Sequence, residues 1–101
     1  MKAVVKYERE NACRLQLQGP LTAGEWRQAL AEFEALSRKG IHTVIVDLQE
    51  VPLIDGLGLT ALIAGYRLFG SDSTRFRLEG LGHQPQLLLQ VAGADWLTRS
   101  A

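Results

Sequence analysis

The chain has 101 residues, 47% of them hydrophobic, and its 11 basic and 11 acidic side chains cancel to a net charge of zero. That length makes one domain with a modest core and no separate substrate domain, and the charge balance leaves no field to hold a nucleic-acid backbone or an anionic membrane surface. No run of about 18 apolar residues occurs, and the first residues carry no apolar stretch ending in a small-residue cleavage site, so neither membrane insertion nor secretion is expected.

Residues 3–7 and 12–18 are short strand candidates separated by the polar turn Glu8-Arg9-Glu10-Asn11, which predicts an antiparallel hairpin. In the second, Cys13, Leu15 and Leu17 point one way and Arg14, Gln16 and Gln18 the other, the period of a sheet wet on one face. The single cysteine has no internal disulfide partner, which fits a reducing compartment and predicts a cytoplasmic protein. Gly19-Pro20 breaks the strand. Thr22 with Glu25 reads as a capping box, and Trp26, Ala29, Leu30, Phe33 and Leu36 recur at helical spacing until Gly40. The β-branched run Thr43 to Leu48 has no alternation and predicts an inner strand covered on both faces.

After Pro52 a helix is predicted from Asp55 to about Gly70, apolar on two opposite sides. Leu59, Leu62, Ile63 and Tyr66 make one stripe, expected to face the sheet, and Leu57, Ala61, Ala64 and Leu68 make the other. The second stripe needs a cover, either a protein partner, a second copy in a homodimer, or the tail residues Trp96 and Leu97. Ser71-Asp72-Ser73 reads as a loop and residues 75–79 as a strand with Phe76 and Leu78 inward. Gly80-Leu81-Gly82-His83 leads into a last helix with Pro85 near its start, Leu87, Leu88 and Val91 on its inner face, and Gly93 as its stop. The order β-β-α-β-α-β-α gives an α/β fold: one small domain with a mixed β-sheet, helices packed on it and right-handed crossovers.

Four segments in this order resemble the STAS domain family of sulfate transporters and anti-sigma factor antagonists. They are residues 15–21, Val44-Ile45-Val46-Asp47-Leu48, Ile54-Asp55-Gly56-Leu57-Gly58-Leu59, and Leu78-Glu79-Gly80-Leu81 running on to Leu87-Leu88-Leu89-Gln90-Val91-Ala92-Gly93. The resemblance spans residues 1–101 as one STAS domain. In anti-sigma factor antagonists the third segment typically reads Asp-Ser-Ser/Thr-Gly-Leu, and its first serine is phosphorylated by a partner kinase. Matching on Asp55, Gly58 and Leu59 places that acceptor at Gly56, which has no hydroxyl, and the second polar position at Leu57.

The resemblance implies a non-catalytic interaction domain that binds a regulatory partner, an anti-sigma factor, kinase or scaffold, without phosphorylation at the usual position. As the alternative, it implies a cytoplasmic subunit that binds the ATPase of an Mla-type phospholipid ABC transporter. The partner-binding candidates are Asp55, Gly56, Leu57, Gly58, Thr60, Ala61, Ala64 and Leu68, with Leu57 as the apolar anchor. Asp55 also reads as a plain helix N-cap, and Gly56 and Gly58 as tolerated residues of a short connection. Thr60, with Arg67 further along the same side, is an alternative phosphorylation position beside a back-bonding reading; Ser71, Ser73 and Thr74 are exposed loop hydroxyls.

Enzyme readings find little support. Cys13 is predicted inward, and His42 and His83 have no spacing that brings them to it. No His or Cys pair has metal-ligand spacing, so no metal or cofactor is proposed. Gly80-Leu81-Gly82 before a helix reads as a turn, with a nucleotide or anion site near Asp55 as the competing idea.

Overall fold

In the computed structural model, which describes residues 1–98, the alternating segments at the start of the chain pair as a hairpin. Strand β1 (Lys2–Arg9) runs antiparallel to β2 (Ala12–Gln18), in register from Lys2 opposite Gln18 to Tyr7 opposite Cys13. A register shift follows Tyr7, and Glu8 and Arg9 belong to the strand, so the turn is tighter than polarity predicts: only Glu10 and Asn11 make it. Strand β3 (Thr43–Glu50) lies parallel to β2, and β4 (Phe76–Glu79) parallel to β3, in one mixed sheet of order β1-β2-β3-β4. Helix α1 (Trp26–Arg38) joins β2 to β3, α2 (Gly56–Leu68) joins β3 to β4, and α3 (His83–Val91) follows β4, with a short 3-10 turn at Asp95–Thr98. The element order read from the sequence is the order of the fold.

Leu15, Leu17, Val44, Val46, Leu48, Phe76 and Leu78 point from the sheet into a single core, where they meet Ala29, Phe33 and Leu36 of α1 and Leu59, Ala61 and Leu62 of α2. Each large apolar side chain buried there contributes roughly 1.5–3 kcal/mol, so the core outweighs the surface ion pairs. β3 is an inner strand, but it is not covered on both faces. Val44, Val46 and Leu48 are buried, while Thr43, Ile45 and Asp47 on the other face are only partly so. Its lack of alternation reflects β-branched residues that suit a strand on either face, not two-sided burial. On that open face Arg14 pairs with Glu79 at 2.9 Å and with Asp47 at 3.4 Å, tying β2 to β3 and β4.

The capping box forms only in part, because the first turn after Thr22 is not yet α-helical. The Thr22 carbonyl accepts from the backbone N–H groups of Glu25 and Trp26, and the Thr22 hydroxyl donates to the Glu25 carboxylate at 2.6 Å, so α1 starts at Trp26. At the other end of α2, Gly70 at φ +84° closes the helix: its N–H donates to the Arg67 carbonyl and that of Ser71 to the Tyr66 carbonyl.

α2 is rotated relative to the two-stripe expectation. Its inward residues are Gly58, Leu59, Ala61, Leu62 and Gly65, followed by Phe69, while Ile63 and Tyr66 are half-buried flanks. The reason is steric. At Gly65 the helix backbone presses on Phe33 and Phe76, whose rings meet edge to face with centroids 5.3 Å apart. Bulky Ile63 and Tyr66 cannot occupy that line, so the small residues do. Ala61, expected on the outward stripe, is fully buried in the core. On α3 the inner face is Pro85 and Leu89 with Leu88 half-buried; Leu87 and Val91, expected inward, are exposed.

A side chain at Gly65 would place its Cβ 2.6 Å from the Phe33 ring and 2.8 Å from that of Phe76. Gly65→Ala therefore lowers stability by about 1–3 kcal/mol, reversing the usual helical gain from glycine to alanine. Gly56→Ala, where a Cβ meets nothing within 4 Å, is neutral or stabilising by up to about 1 kcal/mol. Urea denaturation of the two variants beside the wild type checks both signs.

Candidate functional site

β2, β3 and β4 run parallel, so the connections leaving their C-terminal ends gather at one end of the sheet, the usual place for a site in an α/β fold. Residues 19–23 and 50–55 there run side by side. The Gly19 N–H donates to the Glu50 carbonyl and that of Leu21 to the Leu53 carbonyl, both at 2.9 Å, and Leu21 and Ile54 form a parallel bridge. Asp55 fastens the pair. One carboxylate oxygen accepts from the Gly58 N–H at 2.9 Å as N-cap of α2, and the other accepts from the Ala23 N–H at 2.9 Å in the opposite loop. α3 adds a second clasp: the Gln84 side-chain amide accepts from the Ile54 N–H and donates to the Ile54 carbonyl, each at 2.9 Å.

Gly58 is buried directly beneath the Leu21 carbonyl, in space that any Cβ would invade. Its glycine identity is a packing requirement, and it offers no surface to a partner. Asp55 is half-buried and committed to its two backbone bonds. Gly56 is exposed in the open first turn of α2, and Leu57 beside it is 43% exposed. Leu53, which the sequence pattern did not single out, is 46% exposed in the same connection. A leucine directly after Pro52, in the connection ahead of the helix, was the signal available in the sequence.

Further along α2, Thr60, Ala64 and Leu68 line an open groove of about 580 Å³ together with Leu30 and Glu34 of α1 and Ile63 and Arg67 of α2. Thr60 is exposed, and its hydroxyl donates back to the Gly56 carbonyl at 2.9 Å. The groove lies between the two helices, with Ala64 on it, while Ala61, expected on the same stripe, turns inward. The tail does not close it. Leu97 is buried in the core, and Trp96 packs edge-on against Tyr66 with centroids 5.0 Å apart, leaving Leu57 and Leu68 exposed.

The nucleophile candidates are not assembled. Cys13 is buried, and loss of solvent together with nearby Glu8 raises its thiol above the ordinary value. His42 lies at the start of β3 against Thr43, and His83 opens α3 beside Gln86. The Asp47 carboxylate is engaged by Arg14 and by the Gln49 N–H, with partners different from those of Asp55. Gly80 makes a turn at φ +73° packed against Gln49. Among the described residues no three His, Cys, Asp or Glu are grouped to hold a metal ion, and no helix is long and apolar enough to cross a membrane.

A family model described as "Mlab, STAS domain" matches residues 5–99. Among solved structures, the anti-sigma factor antagonist SpoIIAA in its unphosphorylated form aligns with a TM-score of 0.81 at 15% identity, covering 99% of this chain and 88% of that one. An anti-sigma factor antagonist from Mycobacterium paratuberculosis aligns at 0.83 with 17% identity, covering 98% of this chain and 83% of the other. A sulfate transporter family protein from Wolinella succinogenes aligns at 0.72 with 19% identity over 88% and 72% of the two chains. At such identities the likeness is one of fold. No curated protein matches the chain significantly.

Removing the Asp55 carboxylate orphans the Gly58 and Ala23 N–H groups together. Asp55→Ala is expected to cost about 1–2 kcal/mol, and Asp55→Asn less, since its amide oxygen still accepts one of the two bonds. Thermal unfolding of both variants measures the difference. For Cys13 the folded thiol ionises later than the unfolded one, so above the ordinary thiol pKa of about 8.5 the unfolded state loses its proton first. The contribution of Cys13 to stability is therefore constant through neutral pH and falls as pH rises beyond that value; a Cys13→Ala control isolates it. An alkylating reagent at pH 8 should label the denatured chain and spare the native one.

Proposed function

The chain belongs to the STAS domain family, and on that premise we propose that it is a non-catalytic, cytoplasmic docking module that binds a protein partner through the start and outer side of α2. The observation that carries this reading is the open first turn of α2: Gly56 and Leu57 are exposed there, with Leu53 beside them, on a backbone held rigid by Asp55 and Gln84. A preorganised apolar anchor of this kind binds without paying to order a loop. The adjoining groove with Thr60, Ala64 and Leu68 extends the surface along the helix. Gly58 and Ala61 support it from beneath without touching the partner.

With glycine at position 56, phosphorylation cannot gate this contact at the usual place. The resemblance to anti-sigma factor antagonists supports a regulatory partner such as an anti-sigma factor, kinase or scaffold. The description of the matching family model favours the second reading, a subunit that binds the ATPase of an Mla-type phospholipid ABC transporter. Both partners would use the same α2 surface.

Leu57→Asp separates binding from folding. Leu57 is 43% exposed, so the substitution leaves stability within about 0.5 kcal/mol while placing a charge on the anchor. Purified wild-type chain and the variant are to be tested against a candidate transporter ATPase and a histidine-kinase-like anti-sigma factor from the same organism. Binding to one of them, lost in the folded variant, supports the reading and names the partner. Unimpaired binding by Leu57→Asp would remove the docking surface from α2, and an unfolded variant would make Leu57 a core residue.

A further inference from the structure

Among the described residues no strand pairs with the outer side of β1, which is regular from Lys2 to Tyr7. Alternate residues of an antiparallel edge strand direct both N–H and C=O outward, so a second copy lying antiparallel must place residues of equal parity opposite one another. The two-fold axis must then pass through a residue, and the sequence of β1 decides which. An axis at Ala3 shortens the ladder to three residues, Lys2 to Val4, because β1 begins at Lys2. At Val4, Lys2 faces Lys6 of the second copy twice. At Lys6, two lysines meet on the axis and the ladder runs into the irregularity after Tyr7, which also excludes an axis at Tyr7.

At Val5 no two lysines meet, and the regular ladder still runs five residues, from Ala3 to Tyr7. Lys6 faces Val4 of the second copy, Tyr7 faces Ala3, and just beyond the regular pairs the Lys2 side chain meets that of Glu8, at the start of the irregularity, on both sides of the axis. Glu8 points to the required face, since it lies 3.5 Å from Arg14, and Arg14 stands opposite Lys6 in the sheet. Tyr7, 57% exposed in the single chain, gains a neighbour. We infer that the free edge of β1 is a homodimer interface, pairing antiparallel with β1 of a second copy about Val5 and joining two four-stranded sheets into one. Lysines on an edge strand ordinarily forbid pairing; Lys2 and Lys6 forbid the competing registers and permit this one.

Light scattering of the full chain over a concentration series is expected to rise from 11.1 kDa toward twice that mass. Lys2→Glu makes both symmetry-related pairs repulsive and weakens association by roughly tenfold, and the Lys2→Glu/Glu8→Lys double variant recovers most of it. Circular dichroism verifies that each variant is folded. Cα atoms facing each other across such a pair lie about 4.5–5.5 Å apart, within disulfide reach, so Val5→Cys in a Cys13→Ala background should oxidise to a covalent dimer, whereas Leu57→Cys in that background should not. A constant 11.1 kDa mass would overturn the inference, as would a dimer indifferent to Lys2→Glu or one that cross-links at position 57 and not at position 5.

Discussion

The arrangement depends on one close approach, the first turn of α2 against the backbone of Leu21. Gly58 lets the helix settle under the Leu21 carbonyl, and Asp55 locks it there with one oxygen on the Gly58 N–H of the helix's first turn and the other on the Ala23 N–H of the facing loop. Everything outward follows from that seat. With α2 fixed at its start, Gly65 falls against Phe33 and Phe76, Ala61 falls into the core, and Leu57 and Leu68 are left facing out. The exposed surface is a by-product of where the helix had to go. It is held by backbone hydrogen bonds and apolar contact, without a surface ion pair at the loop junction among the described residues.

The order of elements was legible because each carries its own period and its own punctuation. The hairpin alternates, α1 repeats at helical spacing, and Gly40, Gly70 and Gly93 stand just past helix ends with positive φ. The rotation of α2 was not legible from hydropathy, because both of its sides are apolar and either satisfies a core. The small residues at 58, 61 and 65 held the information: they sit at helical spacing and mark where another backbone or ring comes close. For α3 the leucine run 87–89 hid which residue faces in, and the burial of Pro85 and Leu89 settles it. The Arg14 network and the Gln84 clasp join residues far apart in the chain, and no local pattern announces such pairs.

The two surfaces lie apart. α2 packs against α1 and β4, while β1 is at the other edge of the sheet. Joining two chains edge to edge leaves both α2 faces free, so a dimer would present the docking surface twice in a fixed relation, and a partner that is itself two-fold would meet both at once.

The Gln84 clasp carries a chemical consequence of its own. A carboxamide has one accepting and one donating end, and Ile54 uses both, its N–H against the oxygen and its carbonyl against the nitrogen. A carboxylate of the same length there would leave an oxygen facing the Ile54 carbonyl, turning an attraction into a repulsion at the point where α3 grips the loop before α2. The clasp thus reads the difference between an amide and an acid, and an exchange of one atom would register first as a loosened last helix.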